Sequence, residues 1–346
     1  FLRVPIGVDD TGEPVELDLK ESAQLGMGPH GIAIGATGSG KSELLRTLVL
    51  GLALTHPPDD IAMVLVDYKG GAAFAPFSAL PHVAGVMDNL ADDAQLTRRA
   101  QTSIAGEVRR RQEMLRDAGS IASISAYRAM REQHPELPPM PHLLLVIDEF
   151  GELLTAEPDF VDLLLTIGRI GRSIGVHLLL SSQRIEQGKL RGLDTYLSYR
   201  IGLRTFSESE SQVILETNDA YHLPAIPGYG FLKVDTTQYT RFRAGYVSAP
   251  LPEPSEPDPD ERATALALPV YNTIEADAAG SPTDEAEARI ATPAHVGRSL
   301  MDTAVEILRD ADQPVAPVWL APLPTKFAFE RVRGAPRPGA LTDRKS

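Results

Sequence analysis

Residues 31–50 read GIAIGATGSGKSELLRTLVL, and the order of residue types in this stretch decides the fold class. Gly31 to Gly35 is a short apolar run of the kind that forms a buried strand. Gly35 to Ser42, GATGSGKS, fills every fixed position of G-x-x-x-x-G-K-[ST]. From Lys41 to Thr55 the apolar residues return at helical spacing. Strand, small-residue turn and helix in that order make an anion cradle, because successive turn amides point inward and the helix offers its positive end. The expected cradle is Gly35, Ala36, Thr37, Gly38, Ser39, Gly40, Lys41, Ser42 and Glu43. Its expected ligand is ATP with Mg²⁺: Lys41 is expected to reach the β and γ phosphates and the Ser42 hydroxyl to ligate the metal.

Alternating apolar runs and amphipathic stretches continue to about residue 205, which predicts βα units on a parallel sheet. Further strands are expected over Ala62 to Asp67, Leu143 to Asp148, Val176 to Ser181 and Arg200 to Arg204. A long polar helix carries the stripe Leu96, Ala100, Ile104, Val108 and Leu115. Another helix opens at Pro158, buries Phe160, Leu163, Leu164, Ile167 and Ile170, and stops at Gly175. Gly228 to Val247 reads as a terminal hairpin.

The run LLLVIDE, Leu143 to Glu149, delivers two carboxylates to the C-terminal edge of that sheet beside the phosphate loop. Asp148 is expected to hold Mg²⁺ through water, and Glu149 to polarise the attacking water as general base. Ser182 and Gln183 follow another buried strand at the same edge, with Gln183 the candidate γ-phosphate sensor. Arg169 and Arg172 lie near the end of a helix, where cations favour the helix dipole. The sharper reading makes Arg172, with Arg200 as its rival, an arginine finger for a neighbouring subunit's ATP. Asp67 and Lys69 stand open between nucleotide sensing, a subunit contact and an ordinary loop tip. His30, His56, His82 and His142 have no metal-ligand spacing and read as structural or surface residues.

The chain has 346 residues, 43% of them apolar, enough for a sizeable core, and no cysteine, which excludes disulfides, thiolate metal sites and cysteine nucleophiles. Its longest apolar stretch, Thr47 to Thr55, is far shorter than the roughly 20 residues that span a bilayer. The start at Phe1 without a signal-peptide pattern suggests a piece of a longer protein whose membrane anchor lies elsewhere. The net charge is -14, but residues 251–290 hold ten acids against Arg262 and Arg289, a net of -8. The rest of the chain is left with -6, so net charge is weak evidence against a nucleic-acid partner.

LPEPSEPDPDE, which follows Pro250, combines prolines with acids and has no apolar period, the composition of a solvated linker. The expected organisation is a module over 1–250, an acidic Pro-rich linker over 251–295, and a short helix and Pro-flanked segment over 296–346. That helix is expected at Val296 to Arg309. Trp319, the only Trp, either folds back as a latch on the core or belongs to a following domain.

The phosphate loop, LLLVIDEF and GRSIGVHLLLSSQR, in this order, resemble the FtsK/SpoIIIE family of hexameric motor ATPases. More specifically, LVDYKGGAAF (65–74), PHVAGVMDNL (81–90), RRRQEMLRDAG (109–119), LRTFSESESQVIL (203–215), DAYHLP (219–224) and PGYGFLKVDTTQYTRFRAGYVS (227–248) are similar to the first ATPase module of its type VII (ESX) secretion motors. The resemblance covers roughly residues 1–250. It implies an α/β P-loop NTPase of the RecA/FtsK-like kind, a mainly parallel sheet flanked by helices, with the acidic Pro-rich linker attached. It further implies hydrolysis of ATP to ADP and phosphate in a hexamer whose arginine finger acts in trans. Other ATPase modules of the same protein, membrane components of the secretion machine and exported small helical proteins are the implied partners. The implied place is the cytoplasmic face of the bacterial inner membrane, and export substrates dock on a module outside this chain.

Two alternatives compete. A DNA translocase of the same family needs basic pore loops, since phosphate contacts supply most of its affinity. The basic run Arg109-Arg110-Arg111, with Arg98 and Arg99 upstream, is expected instead on the solvated face of its helix or at a subunit contact. DNA translocases of the family usually carry a DPK-like element where this chain has Asp67 to Gly71, so no nucleic-acid partner is expected. A module that binds ATP without hydrolysing it is the second alternative, and Glu149 argues against it, because binding alone needs no water-activating base.

Overall fold

A computed structural model describes residues 1–70, 73–185, 188, 190, 192–235, 238–251 and 298–319. The acidic linker, apart from Leu251, and the tail beyond Trp319 lie outside the described residues. The chain runs β1 (Arg3–Val8), β2 (Pro14–Asp18), β3 (His30–Ile34), α1 (Lys41–Thr55), β4 (Ile61–Asp67), β5 (Val83–Met87), α2 (Ala94–Asp117) and α3 (Ile124–Gln133). It continues through β6 (His142–Asp148), α4 (Phe150–Ala156), α5 (Phe160–Ile174), β7 (Val176–Ser182), β8 (Tyr199–Leu203), α6 (Glu208–Leu215), β9 (Tyr229–Val234), β10 (Gln238–Ala244) and α7 (Leu300–Leu308).

All ten strands join one sheet in the order β2-β1-β10-β9-β8-β3-β7-β6-β4-β5. From β8 to β5 the strands are parallel, and the other four extend the sheet antiparallel. The five strands expected from the apolar runs are all present, each within one residue of the expected bounds. Their composition follows from double-sided burial. In β6, Leu143, Leu145 and Ile147 belong to one core and Leu144 and Val146 to the other. Ala100, Ile104 and Val108 of α2 and Leu164 and Ile167 of α5 close the first face; α1 closes the second.

Six elements, β1, β2, β5, α3, α4 and α6, add to the expected pattern. β1 and β2 form an N-terminal hairpin whose alternating Val4, Ile6, Val15 and Leu17 pack on the α1 side of the sheet. β5 is the outermost parallel strand, and α3 and α6 are short helices capped by Ser123 and Ser207. The helix expected over Val296 to Arg309 is α7, closed at its start by a capping box of Ser299 and Asp302. It does not stand apart from the module. Met301, Ala304 and Val305 share the α1 core, and Leu300 N and Met301 N donate to Ala249 O (3.0 Å) and Val247 O (2.9 Å).

Within the basic run Arg111 departs from the expectation of a solvated face. Arg111 is 1% exposed, its Nε donating to Glu107 (2.8 Å) and its Nη1 to the carbonyl of Ile174 at the end of α5 (3.0 Å). Arg110 also grips Glu107, but from the surface, and Arg109 is exposed as well, so only Arg111 of the three is committed inside the fold. The histidines are structural: His56 Nε2 accepts from Leu2 N (2.9 Å), His82 bonds His56 O (2.7 Å), and His142 bonds His177 (2.9 Å). Burial pushes His30 down to about 4 and His177 to about 3, which keeps both rings neutral.

Candidate active site

β3 lies between β8 and β7, and β7 separates it from β6, so the loops leaving β3, β6 and β7 emerge at one sheet edge. The phosphate loop is braced from both sides there. Ala36 N donates to Arg204 O (2.8 Å), and Gly228 N of the terminal hairpin donates to Ser39 O (2.8 Å). Gly40 has φ 94°, and a Cβ there would sit 2.6 Å from Gly228 N, so only glycine permits both the turn and the brace.

α1 starts at Lys41, whose Nζ donates to Asp148 Oδ1 and to Glu149 Oε1 (3.0 Å). All three side chains are buried. Two carboxylates against one ammonium leave a surplus negative charge. The hydroxyl of Ser42, next to Lys41, and the Asp148 carboxylate are hard oxygen donors, the set that Mg²⁺ accepts. Glu149 sits at φ 57°, ψ 37°, a left-handed conformation that is costly for a non-glycine residue and typical of functional positions. It turns the chain from β6 into α4. Glu149 Oε2 lies 3.4 Å from Gln183 N and 3.5 Å from Ser182 Oγ, and Thr37 Oγ1 donates to Gln183 Oε1 at 2.7 Å. Gln183 therefore links the phosphate loop to the expected base.

Other expected residues lie elsewhere. The Glu43 carboxylate accepts from Arg46 (2.7 Å) and the Ser248 hydroxyl (2.6 Å), which ties α1 to the chain after β10 and leaves only the backbone amide of Glu43 for a phosphate. Arg172 is in the last turn of α5, immediately before β7 begins, so the length of β7, roughly 20 Å at about 3.3 Å per residue, separates it from its own phosphate loop. There it pairs with Glu21 (2.5 Å). Arg200 donates to the carbonyls of Val213 (3.3 Å) and Ile214 (3.5 Å), near the end of α6.

Beside Glu149 opens a cleft that Thr37 and Gln183 line together with Lys69, Glu152, Arg184 and Phe206. Arg184 stacks on the Phe206 ring at 4.6 Å. Reading the sequence left Arg184 and Phe206 unassigned, although Arg184 directly follows Gln183. Lys69 pairs with Glu152 (2.6 Å), and this hydrogen bond, with Glu149 and Asp148 close by, raises the lysine's pKa above its ordinary value. On the far edge, Val318 N and Trp319 N both donate to Ala84 O of β5 (2.8 and 3.1 Å), and the Arg99 guanidinium lies 4.0 Å over the Trp319 ring. Trp319 is folded back on this sheet edge.

The model of the FtsK/SpoIIIE family matches residues 2–187. Over 324 residues, 93% of it, the chain is 51% identical to the ESX secretion system protein EccC of Thermomonospora curvata, of which it covers 24%. It is 54% identical over 250 residues, 72% of it, to the ESX-4 secretion system protein EccC4 of Mycobacterium tuberculosis, covering 20% of that protein. Its structure is similar to the cytoplasmic domain of the Thermomonospora curvata type VII secretion ATPase EccC, with a TM-score of 0.78 and 49% identity, over 93% of this chain and 33% of that one. The chain thus spans about a quarter or less of the length of these curated relatives.

Proposed function

This chain belongs to the FtsK/SpoIIIE family, and from that premise we propose that it is the ATP-hydrolysing motor module of a type VII (ESX) secretion machine. The observation that carries the reading is the convergence of Lys41, Asp148, Glu149 and Gln183 at one sheet edge. The phosphate loop holds ATP through its amides, and Lys41 exchanges the two carboxylates for the phosphates. Ser42, and Asp148 through water, would hold Mg²⁺, which when bound would supply charge neutralisation at the phosphate oxygens. Glu149 takes the proton of the attacking water, and Gln183, oriented by Thr37, positions that water. No step needs a group from outside except the finger, for which we favour Arg172 of an adjacent subunit. Its side chain is 63% exposed and its pair with Glu21 is a surface pair worth at most about 1 kcal/mol, whereas Arg200 is committed to helix carbonyls.

In this reading residues 1–250 are one ATPase unit of a hexameric ring, 251–295 a tether, and 296–346 the approach to a following module. The ring works at the cytoplasmic face of the membrane, anchored by segments outside this chain, and drives export of small helical proteins. Among the described residues no helix is long and apolar enough to cross a membrane. The test is Mg²⁺-dependent ATP turnover measured over a range of protein concentrations. It is expected to rise with concentration, because the finger acts in trans, and to be indifferent to duplex DNA. Turnover that duplex DNA stimulates, falling steeply with salt, would replace secretion with the DNA translocase.

The position of Trp319 supports a second element of this reading, a latch that holds β5 and α2 in a low-activity state until neighbouring modules assemble. Trp319→Ala is then expected to raise turnover several-fold at a fixed protein concentration. Unchanged turnover would leave the tail as a passive cover of the β5 edge.

A further inference from the structure

Lys69 has no part in the machinery above, yet the fold carries it to the same place. β4 pairs with β6 so that Asp67 stands opposite Asp148, and the turn after β4 therefore emerges beside the two carboxylates. Its backbone is fixed. Tyr68, 7% exposed, donates its N–H to Asp148 O (3.4 Å) and accepts from Ala91 N (2.9 Å), while Asp67 Oδ1 takes the N–H of Gly70 (3.0 Å). Gly70 has φ 77°, and a Cβ there would lie 1.7 Å from Asn89 Oδ1, so the turn tolerates no side chain at that point. From this held backbone the Lys69 side chain enters the cleft shared by Thr37, Glu149 and Gln183.

Its partner there is exchangeable. The Lys69 and Glu152 side chains are 45% and 50% exposed, and an ion pair so open to water adds little stability. Lys41, by contrast, is the cation buried against Asp148 and Glu149, and serving the phosphates takes it from them. A second lysine on a rigid turn at the cleft is then placed to answer the charge that arrives with a terminal phosphate.

We propose that Lys69 reads the γ phosphate of ATP bound in its own subunit, exchanging Glu152 for a terminal phosphate oxygen. This rests on the ATPase reading and adds to it a sensor that acts in cis, distinct from the finger. Lys69 binds and positions; it does not transfer a proton.

Affinities for Mg-ATP and Mg-ADP, measured by competition against a fluorescent ADP analogue, test it in the wild type, Lys69→Ala, Lys69→Arg, Glu152→Gln and Arg184→Ala. A charge-assisted hydrogen bond lost from ATP alone is worth about tenfold in affinity. Lys69→Ala is expected to lose that factor for ATP while holding its ADP affinity, which also certifies the fold. Lys69→Arg restores most of it, and Glu152→Gln, which frees the lysine, tightens ATP. An unchanged ATP-to-ADP ratio in Lys69→Ala overturns the proposal, as does the same loss in Arg184→Ala with Lys69→Ala silent. A wild type that binds neither nucleotide overturns the ATPase reading itself, a result separable from a failure of Lys69 alone.

Discussion

Glu149→Gln is expected to lower ATP turnover by at least about 10²-fold while ATP stays bound, because a positioned general base contributes about that much and an amide cannot accept the proton. The substitution preserves what else the side chain does. Its oxygen can still accept from Gln183 N, which lies 3.4 Å from Glu149 Oε2, and Lys41 keeps Asp148 as partner. Nothing in the nucleotide-free fold should suffer, since the change removes the surplus negative charge of the buried cluster. Binding of a fluorescent ATP analogue and single-turnover hydrolysis, compared at one protein concentration, separate the two effects. A variant that turns over ATP like the wild type would remove Glu149 from the chemistry, whereas wild type and variant that bind ATP equally and turn over none would promote the module that only binds nucleotide.

The site was legible because its parts are local in sequence. A phosphate loop needs contiguous small residues and a lysine, and LLLVIDE advertises a buried strand ending in carboxylates; neither depends on what packs where. Asp148 and Glu149 meet Lys41, and Gln183 meets Glu149, because parallel strands deliver their C-terminal ends to one edge, a rule that holds for the whole sheet. The engagement of the Glu43 carboxylate was not legible, for the opposite reason. Glu43 sits next to Ser42 in sequence, but its carboxylate is claimed by Ser248 from the far end of the module, and no local pattern announces such a partner.

The fold was legible where strands are buried on both faces and in the terminal hairpin of β9 and β10, and obscure at β1, β2 and β5. β1 and β2 alternate Val4, Ile6, Val15 and Leu17 about the turn Asp9 to Gly12, a hairpin signal that a search for continuous apolar runs passes over. β5 has Gly85 in its middle and outward positions only partly buried. Arg111 shows the limit of charge patterning: a triple arginine on a polar helix reads as solvated, whereas Glu107 one turn earlier and the open carbonyl of Ile174 draw it inside. Arg184 belongs with it, since its place in the cleft depends on Phe206 from another loop.

Lys41→Met is the second large effect, and it reaches beyond nucleotide binding. Loss of ATP affinity follows from losing the phosphate ligand. The structure adds a stability cost, because Lys41 is 6% exposed and compensates two carboxylates that are 5% and 4% exposed. Removing one partner of a buried charge cluster costs about 3–5 kcal/mol, a large share of the roughly 5–15 kcal/mol that holds a domain together. Methionine keeps most of the stem's volume, so the loss reports charge rather than a cavity. Urea unfolding of the nucleotide-free protein should show a lower midpoint at unchanged slope. Adding Glu149→Gln to Lys41→Met should recover part of that loss, since one of the two stranded carboxylates is then gone. A solvated lysine that meets charge only when phosphates arrive would leave the midpoint where it was, and the double variant would then show no coupling between positions 41 and 149.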